Sequence, residues 1–208
     1  MTRPPRPSPF YALIAVLSLP FAYLLFRYRA HGKENLPASG GYVLAAGHVS
    51  NLDPWPLGLG LFPARFLRFM AKSELFWFPL GALIAGAGAF KVRRGMADAE
   101  AIQTAVGLAR DGHVIAMFPE GTRRRKGLRK KWQPEAHTGA ARIALAADVP
   151  LIPAGISGTD RLARLAPLKV AYGEAVRTDD LRDLDLAEAA RVATERLMER
   201  IRALEASL

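Results

Sequence analysis

His48 and Asp53 stand five residues apart in Gly47-His48-Val49-Ser50-Asn51-Leu52-Asp53-Pro54, one imidazole and one carboxylate just after a short apolar run. A carboxylate on one ring nitrogen of a histidine fixes its tautomer and leaves the other nitrogen able to take a proton from an alcohol or thiol. The pair is therefore a candidate general base with its orienting partner. On a continuous helix residues i and i+5 diverge, because neighbours on one face sit three or four apart. The two side chains meet only if His48 lies at a strand end or turn and the chain bends before Asp53. Gly47, Asn51 and Pro54 favour such a bend.

Two other stretches have the types that hold an anion. Phe118-Pro119-Glu120-Gly121-Thr122-Arg123 follows a buried apolar run, and in α/β sheets ligands sit outside the carboxyl ends of strands. Gly121 lets backbone come close, Thr122 offers a hydroxyl, and Arg123 offers a forked donor matched to phosphate. Phe90-Lys91-Val92-Arg93-Arg94-Gly95 repeats the arrangement, an apolar strand candidate ending in adjacent arginines. Either motif alone also fits a turn with solvated arginines; a phosphate clamp requires the two to converge.

The elements that must carry these motifs alternate. Tyr42 to Ala46, Arg65 to Ala71, Ala89 to Val92, His113 to Phe118, Pro150 to Ile156 and Leu168 to Tyr172 read as strands. Ser73 is a candidate cap for a helix over Glu74 to Ala85. Ala97 to Arg110, Thr138 to Ala147 and Leu186 to Leu204 read as further helices, the first and last amphipathic. This order predicts a single α/β domain over 31–208, with a mostly parallel central sheet flanked by helices. Half of the 208 residues are hydrophobic, enough to bury a core and to exclude a disordered chain. The absence of cysteine excludes disulfides, thiolate metal sites and a cysteine nucleophile.

Ahead of that domain, residues 1–30 contain an uncharged apolar run from Phe10 to Phe26, with Arg3 and Arg6 before it and Arg27 and Arg29 after. A straight helix of that length reaches about 26 Å, short of a hydrocarbon core of about 30 Å, and Pro20 disfavours a straight helix. No small-x-small cleavage site follows it, which argues against a signal peptide. The expectation is an N-terminal apolar membrane anchor, bent or re-entrant in preference to a single span, with Tyr11, Tyr23 and Tyr28 near the interface.

The net charge of +10 is concentrated: residues 1–173 hold 23 Lys and Arg against 10 Asp and Glu, and residues 174–208 hold 6 against 9. Arg123 to Lys131 alone places seven basic residues in nine positions, followed by Trp132. An anionic membrane surface is the favoured partner for this run. No RNA- or DNA-binding motif accompanies it, so nucleic acid is not expected.

In this order and spacing the motifs resemble the blocks of the glycerolipid acyltransferases typified by 1-acylglycerol-3-phosphate acyltransferase. The resemblance runs from about Gly32 to Gly173. It includes Glu34-Asn35-Leu36-Pro37 before the histidine block, Gly139-Ala140-Ala141 after Phe118-Pro119-Glu120-Gly121-Thr122-Arg123, and Val149-Pro150-Leu151-Ile152-Pro153 as the fourth block. It implies His48 as catalytic base, Asp53 as its orienting partner, and Arg94, Glu120, Gly121, Thr122 and Arg123 as residues binding the acceptor's glycerol phosphate. Ser50 also matches the first block. Gly47 stands where Asn is usual, Arg93 where an acidic residue or Asn is common, Arg124 where Ser is usual, and Thr138 where Lys is frequent.

The implied reaction is direct acyl transfer to the free hydroxyl of 1-acylglycerol 3-phosphate, giving phosphatidic acid for phospholipid biosynthesis. The donor is expected to be acyl-CoA or acyl-carrier protein, and the setting the cytoplasmic face of a membrane. A covalent acyl-enzyme is not expected, there being no cysteine and no G-x-S-x-G elbow. No cofactor and no metal are expected, since no His, Asp and Glu cluster has ligand spacing. Other acceptors, namely another lysolipid or glycerol 3-phosphate, are alternatives, as is a non-catalytic protein that binds a membrane surface through its basic loop.

Overall fold

A computed structural model describes residues 5–92, 98–121 and 136–208, apart from the side chains of Lys72 and Asp98. Its centre is a seven-stranded sheet: β1 (Arg29–His31), β2 (Tyr42–Ala46), β3 (Leu67–Lys72), β4 (Ala89–Val92), β5 (Val114–Met117), β6 (Leu151–Ser157) and β7 (Lys169–Tyr172), in the order β1-β7-β6-β2-β5-β3-β4. β6, β2, β5, β3 and β4 run parallel; β7 is antiparallel to β6 and carries β1 parallel to itself at the edge. The expected mostly parallel α/β sheet is thus present. β1 has no counterpart among the expected strands, because three residues, only one of them apolar, leave no pattern to read.

Alternation along the strands builds two cores. Tyr42, Leu44 and Ala46 of β2 face one layer and Val43 and Ala45 face the other, as the two-residue period of a strand requires. On the first face lie helices α1 (Pro9–Leu24) and α2 (Pro54–Leu61), through Tyr11, Ala15, Ala22, Leu57, Leu59 and Leu61. On the second lie α4 (Asp98–Arg110), α5 (Gly139–Ala147) and α6 (Leu186–Ala206), whose buried residues are mostly alanines, with Ile143, Leu197 and Ile201 as larger members. Asp185 caps α6 by accepting from the backbone N–H groups of Ala187 and Glu188.

Two sequence expectations change here. The helix over Glu74 to Ala85 is a single 3-10 turn at Ser73–Leu75 followed by a short helix, α3, at Leu80–Gly86. Pro79 is the reason, since a proline disfavours helical backbone at the residue before it and has no N–H to give. The apolar run of residues 10–26 is helical over Pro9–Leu24, started by Ser8, whose Oγ accepts from the Tyr11 N–H. That helix of 16 residues spans about 24 Å, and among the described residues no helix is long and apolar enough to cross a membrane.

Of the three tyrosines expected at an interface, only Tyr23 is exposed; Tyr11 and Tyr28 are buried. Each buried hydroxyl has found a backbone partner. Tyr11 Oη accepts from the Leu67 N–H at 3.3 Å and Tyr28 donates to the Pro56 carbonyl at 2.7 Å. Burial pushes the hydroxyl pKa of both upward, opposed at Tyr11 by the bond from the Leu67 N–H and at Tyr28 by its bond with Tyr172, while Tyr23 adds to the rise at Tyr28.

Candidate active site

The site is assembled where two neighbouring parallel strands end. Ala45 of β2 pairs in register with Met117 of β5. Three residues beyond each of these come His48 and Glu120, so the register sets them side by side. Past β2 the chain turns at once: Asp53 N–H donates to the Ser50 carbonyl at 3.2 Å, and Pro54 opens α2. The bend required by a five-residue spacing is therefore formed by the Ser50 to Asp53 turn.

Asp53 stands at the N-cap position of α2, yet its carboxylate does not cap that helix. It folds back over the turn. Oδ2 accepts from the backbone N–H groups of Val49 at 2.8 Å and Ser50 at 2.9 Å, and lies 2.8 Å from His48 Nδ1. Oδ1 accepts from the Thr159 hydroxyl at 2.6 Å. The Asp53 side chain is fully buried, whereas that of His48 is 18% exposed, so the imidazole is the member of the pair that meets solvent. A carboxylate accepting at Nδ1 puts the ring proton there and the lone pair on Nε2. Among the described residues Nε2 has no hydrogen-bond partner. The His48 ring stacks on Phe118 with centroids 4.4 Å apart, which fixes the plane in which Nε2 lies.

Glu120 is also buried, and its Oε2 accepts a long, 3.5 Å bond from the His48 backbone N–H. Two carboxylates thus hold the histidine, one at the ring and one at the main chain. Gly121 follows with φ of 62°, a left-handed conformation that favours glycine, and a side chain there would collide with the His137 ring at 2.6 Å. Ser50 Oγ accepts from the Leu52 N–H, helping to close the same turn. Arg94, Thr122 and Arg123, and with them the basic run to Lys131, lie outside the described residues. Among the described residues, no group of three His, Asp or Glu side chains could hold a metal ion.

Two residues near the pair escape a reading of sequence alone. His137 packs against Gly121 but comes from the segment before α5. Thr159 comes from the turn after β6, more than a hundred residues from Asp53, and no local spacing connects them. The available signal was a Gly-Thr step directly after a buried strand that lies beside β2.

A buried carboxylate and a histidine whose other ring nitrogen has no partner among the described residues lie together at the ends of parallel strands, an arrangement chemically able to take a proton from a hydroxyl. Residues 27–157 match the family described as Acyltransferase. The chain is 33% identical over 186 residues to the 1-acyl-sn-glycerol-3-phosphate acyltransferase of Bacillus subtilis, spanning 86% of this chain and 89% of that protein. It therefore belongs to the acyltransferase family and is an enzyme of that class. The similarly named protein of Borreliella burgdorferi is 28% identical over 132 residues, covering 62% of this chain and 50% of that one. The crystal structure of the 1-acyl-sn-glycerophosphate (LPA) acyltransferase PlsC from Thermotoga maritima shares the fold, with a TM-score of 0.65 and 24% identity over 94% of this chain and 81% of that one.

Proposed function

We propose that the protein acylates the free hydroxyl of 1-acylglycerol 3-phosphate, taking a fatty acyl group from acyl-CoA or acyl-carrier protein and giving phosphatidic acid at a membrane surface. The observation that carries this reading is the 2.8 Å pairing of His48 Nδ1 with buried Asp53 inside the family's first block. The names of the relatives in Bacillus subtilis and Borreliella burgdorferi support the same acceptor.

In this mechanism His48 Nε2 takes the hydroxyl proton as the alcohol oxygen attacks the thioester carbonyl. A carbon–oxygen bond forms, the carbon–sulfur bond breaks, and the proton passes from the imidazolium to the departing thiolate. Asp53 stays ionised, holding the ring and stabilising its transient positive charge. Glu120 steadies the His48 backbone from the β5 side. The resemblance assigns the acceptor's glycerol phosphate to Arg94, Glu120, Gly121, Thr122 and Arg123.

Purified protein given 1-acylglycerol 3-phosphate and acyl-CoA is expected to turn over. His48→Ala should lower the rate by about two to four orders of magnitude. Equal turnover by the variant removes His48 from the chemistry. A competition among acceptors with and without phosphate tests the acceptor itself: Arg94→Ala should raise the acceptor KM with little change in kcat, and an unchanged KM detaches that arginine from the phosphate.

A further inference from the structure

We infer that Thr159 is a positioning residue of the reaction, acting through Asp53 to hold the base. This rests on the reading of His48 as general base. Asp53 is fully buried, and its two oxygens have different partners: Oδ2 serves His48 and two backbone N–H groups, while the Thr159 hydroxyl donates to Oδ1 at 2.6 Å. A hydroxyl on a carboxylate at that distance is a short, charge-assisted bond, roughly twice as strong as a neutral one. Thr159 is itself buried, so bulk water does not compete for the contact.

The fold delivers this hydroxyl deliberately. β6 lies beside β2 with Ala154 opposite Ala46, and runs three residues further, to Ser157. Gly158 then turns the chain with φ of 96°, and a side chain there would meet the Pro167 carbonyl oxygen at 2.1 Å. Only glycine makes that turn, and the turn sets Thr159 over the Asp53 carboxylate. Without the hydroxyl, one oxygen of a buried carboxylate loses its donor, and the carboxylate is held through Oδ2 alone. With one anchor fewer, the carboxylate and the His48 ring it orients can shift, and a misplacement of about 1 Å at a reacting group is enough to cost roughly 100-fold in rate.

Thr159→Val keeps the shape and removes the donor. It should lower kcat by about 10- to 100-fold while leaving both KM values near wild type, with a lower melting temperature because one oxygen of the buried carboxylate loses its donor. Thr159→Ser, which restores the hydroxyl, should recover most of the rate. In an Asp53→Ala background, Thr159→Val should add almost nothing, because the hydroxyl then has no carboxylate to hold. Wild-type kcat in Thr159→Val, a loss confined to KM, or a full additional loss in the Asp53→Ala background each overturns the inference. If the valine variant melts below the assay temperature, Thr159→Ala, which also removes the donor, carries the same comparison at a lower assay temperature. His48→Ala separates the two readings: if it retains turnover the general-base proposal fails, and if it is inactive while Thr159→Val is unaffected only the role of Thr159 fails.

Discussion

Asp53 is surrounded by donors from three directions: an imidazole, two consecutive backbone N–H groups and a hydroxyl from the turn after β6. Burying a carboxylate is unfavourable unless it is hydrogen-bonded in this way. Asp53→Asn keeps the volume and can still accept from Val49 and Ser50, but it withdraws the negative charge that steadies a protonated ring. It should reduce kcat by about two orders of magnitude or more with a small change in melting temperature, measured by steady-state rates beside thermal unfolding. The meeting of His48 with Asp53 was legible in the sequence because one block held both residues and the bend between them. Thr159 was not legible, since its relation to Asp53 exists only through the pairing of β6 with β2. Glu120 was expected at the acceptor's phosphate, and its buried carboxylate at the His48 backbone became visible only through the register of β2 and β5.

Strands with unbroken apolar runs, such as β2, β5 and β6, were readable as elements because burial on both sides leaves only hydrophobic residues. α2 was not, since Pro54-Trp55-Pro56-Leu57-Gly58-Leu59-Gly60-Leu61 carries two prolines and two glycines, poor helix formers that here suit a short buried segment with proline in its first turn. Its glycines admit neighbours: a side chain at Gly60 would clash with the Tyr172 hydroxyl. At the turn after β6, Gly158→Ala should destabilise the fold by about 1 to 3 kcal/mol in denaturant unfolding, given its positive φ and the close Pro167 carbonyl. In α6, Ile201→Ala should cost about 2 to 5 kcal/mol, because the side chain is fully buried against the sheet. His113, just before β5, has its pKa lowered chiefly by burial, with Arg68 and Arg65 adding to the effect and Asp111 opposing it. The native state therefore keeps the ring neutral while the unfolded chain binds a proton near pH 6.5. Stability attributable to this group is present above about pH 6.5 and is lost as pH falls through the lowered native value. His113→Gln should flatten that acid slope in chemical denaturation; an unchanged slope assigns it to other groups.

The molecule as a whole has two unlike faces. The face of α1 turned away from the sheet exposes Leu13, Val16, Leu17, Phe21 and Leu24, and Phe10 at its start lies against Gly86 at the end of α3. Trp77, Phe78 and Leu83 are exposed around that second helix. The opposite layer ends in α6, where Arg191 bonds Glu188 and Glu195, and Arg196 holds Asp180, lowering that carboxyl to a pKa of about 2. A solvated ionic surface on one side and an apolar stripe on the other support the proposed membrane contact, which α1 would make through its exposed face. Replacing Leu17 and Phe21 by Glu should abolish sedimentation with anionic phospholipid vesicles while leaving the melting temperature near wild type, since both side chains are already exposed. Unchanged sedimentation would move the contact elsewhere. The most direct test of the account follows thiol release from acyl-CoA by purified enzyme, with and without 1-acylglycerol 3-phosphate. Direct transfer through His48 predicts release only when the acceptor is present, and a fall of about two to four orders of magnitude in His48→Ala. A stoichiometric burst of free thiol without acceptor, or undiminished release in the variant, would contradict it.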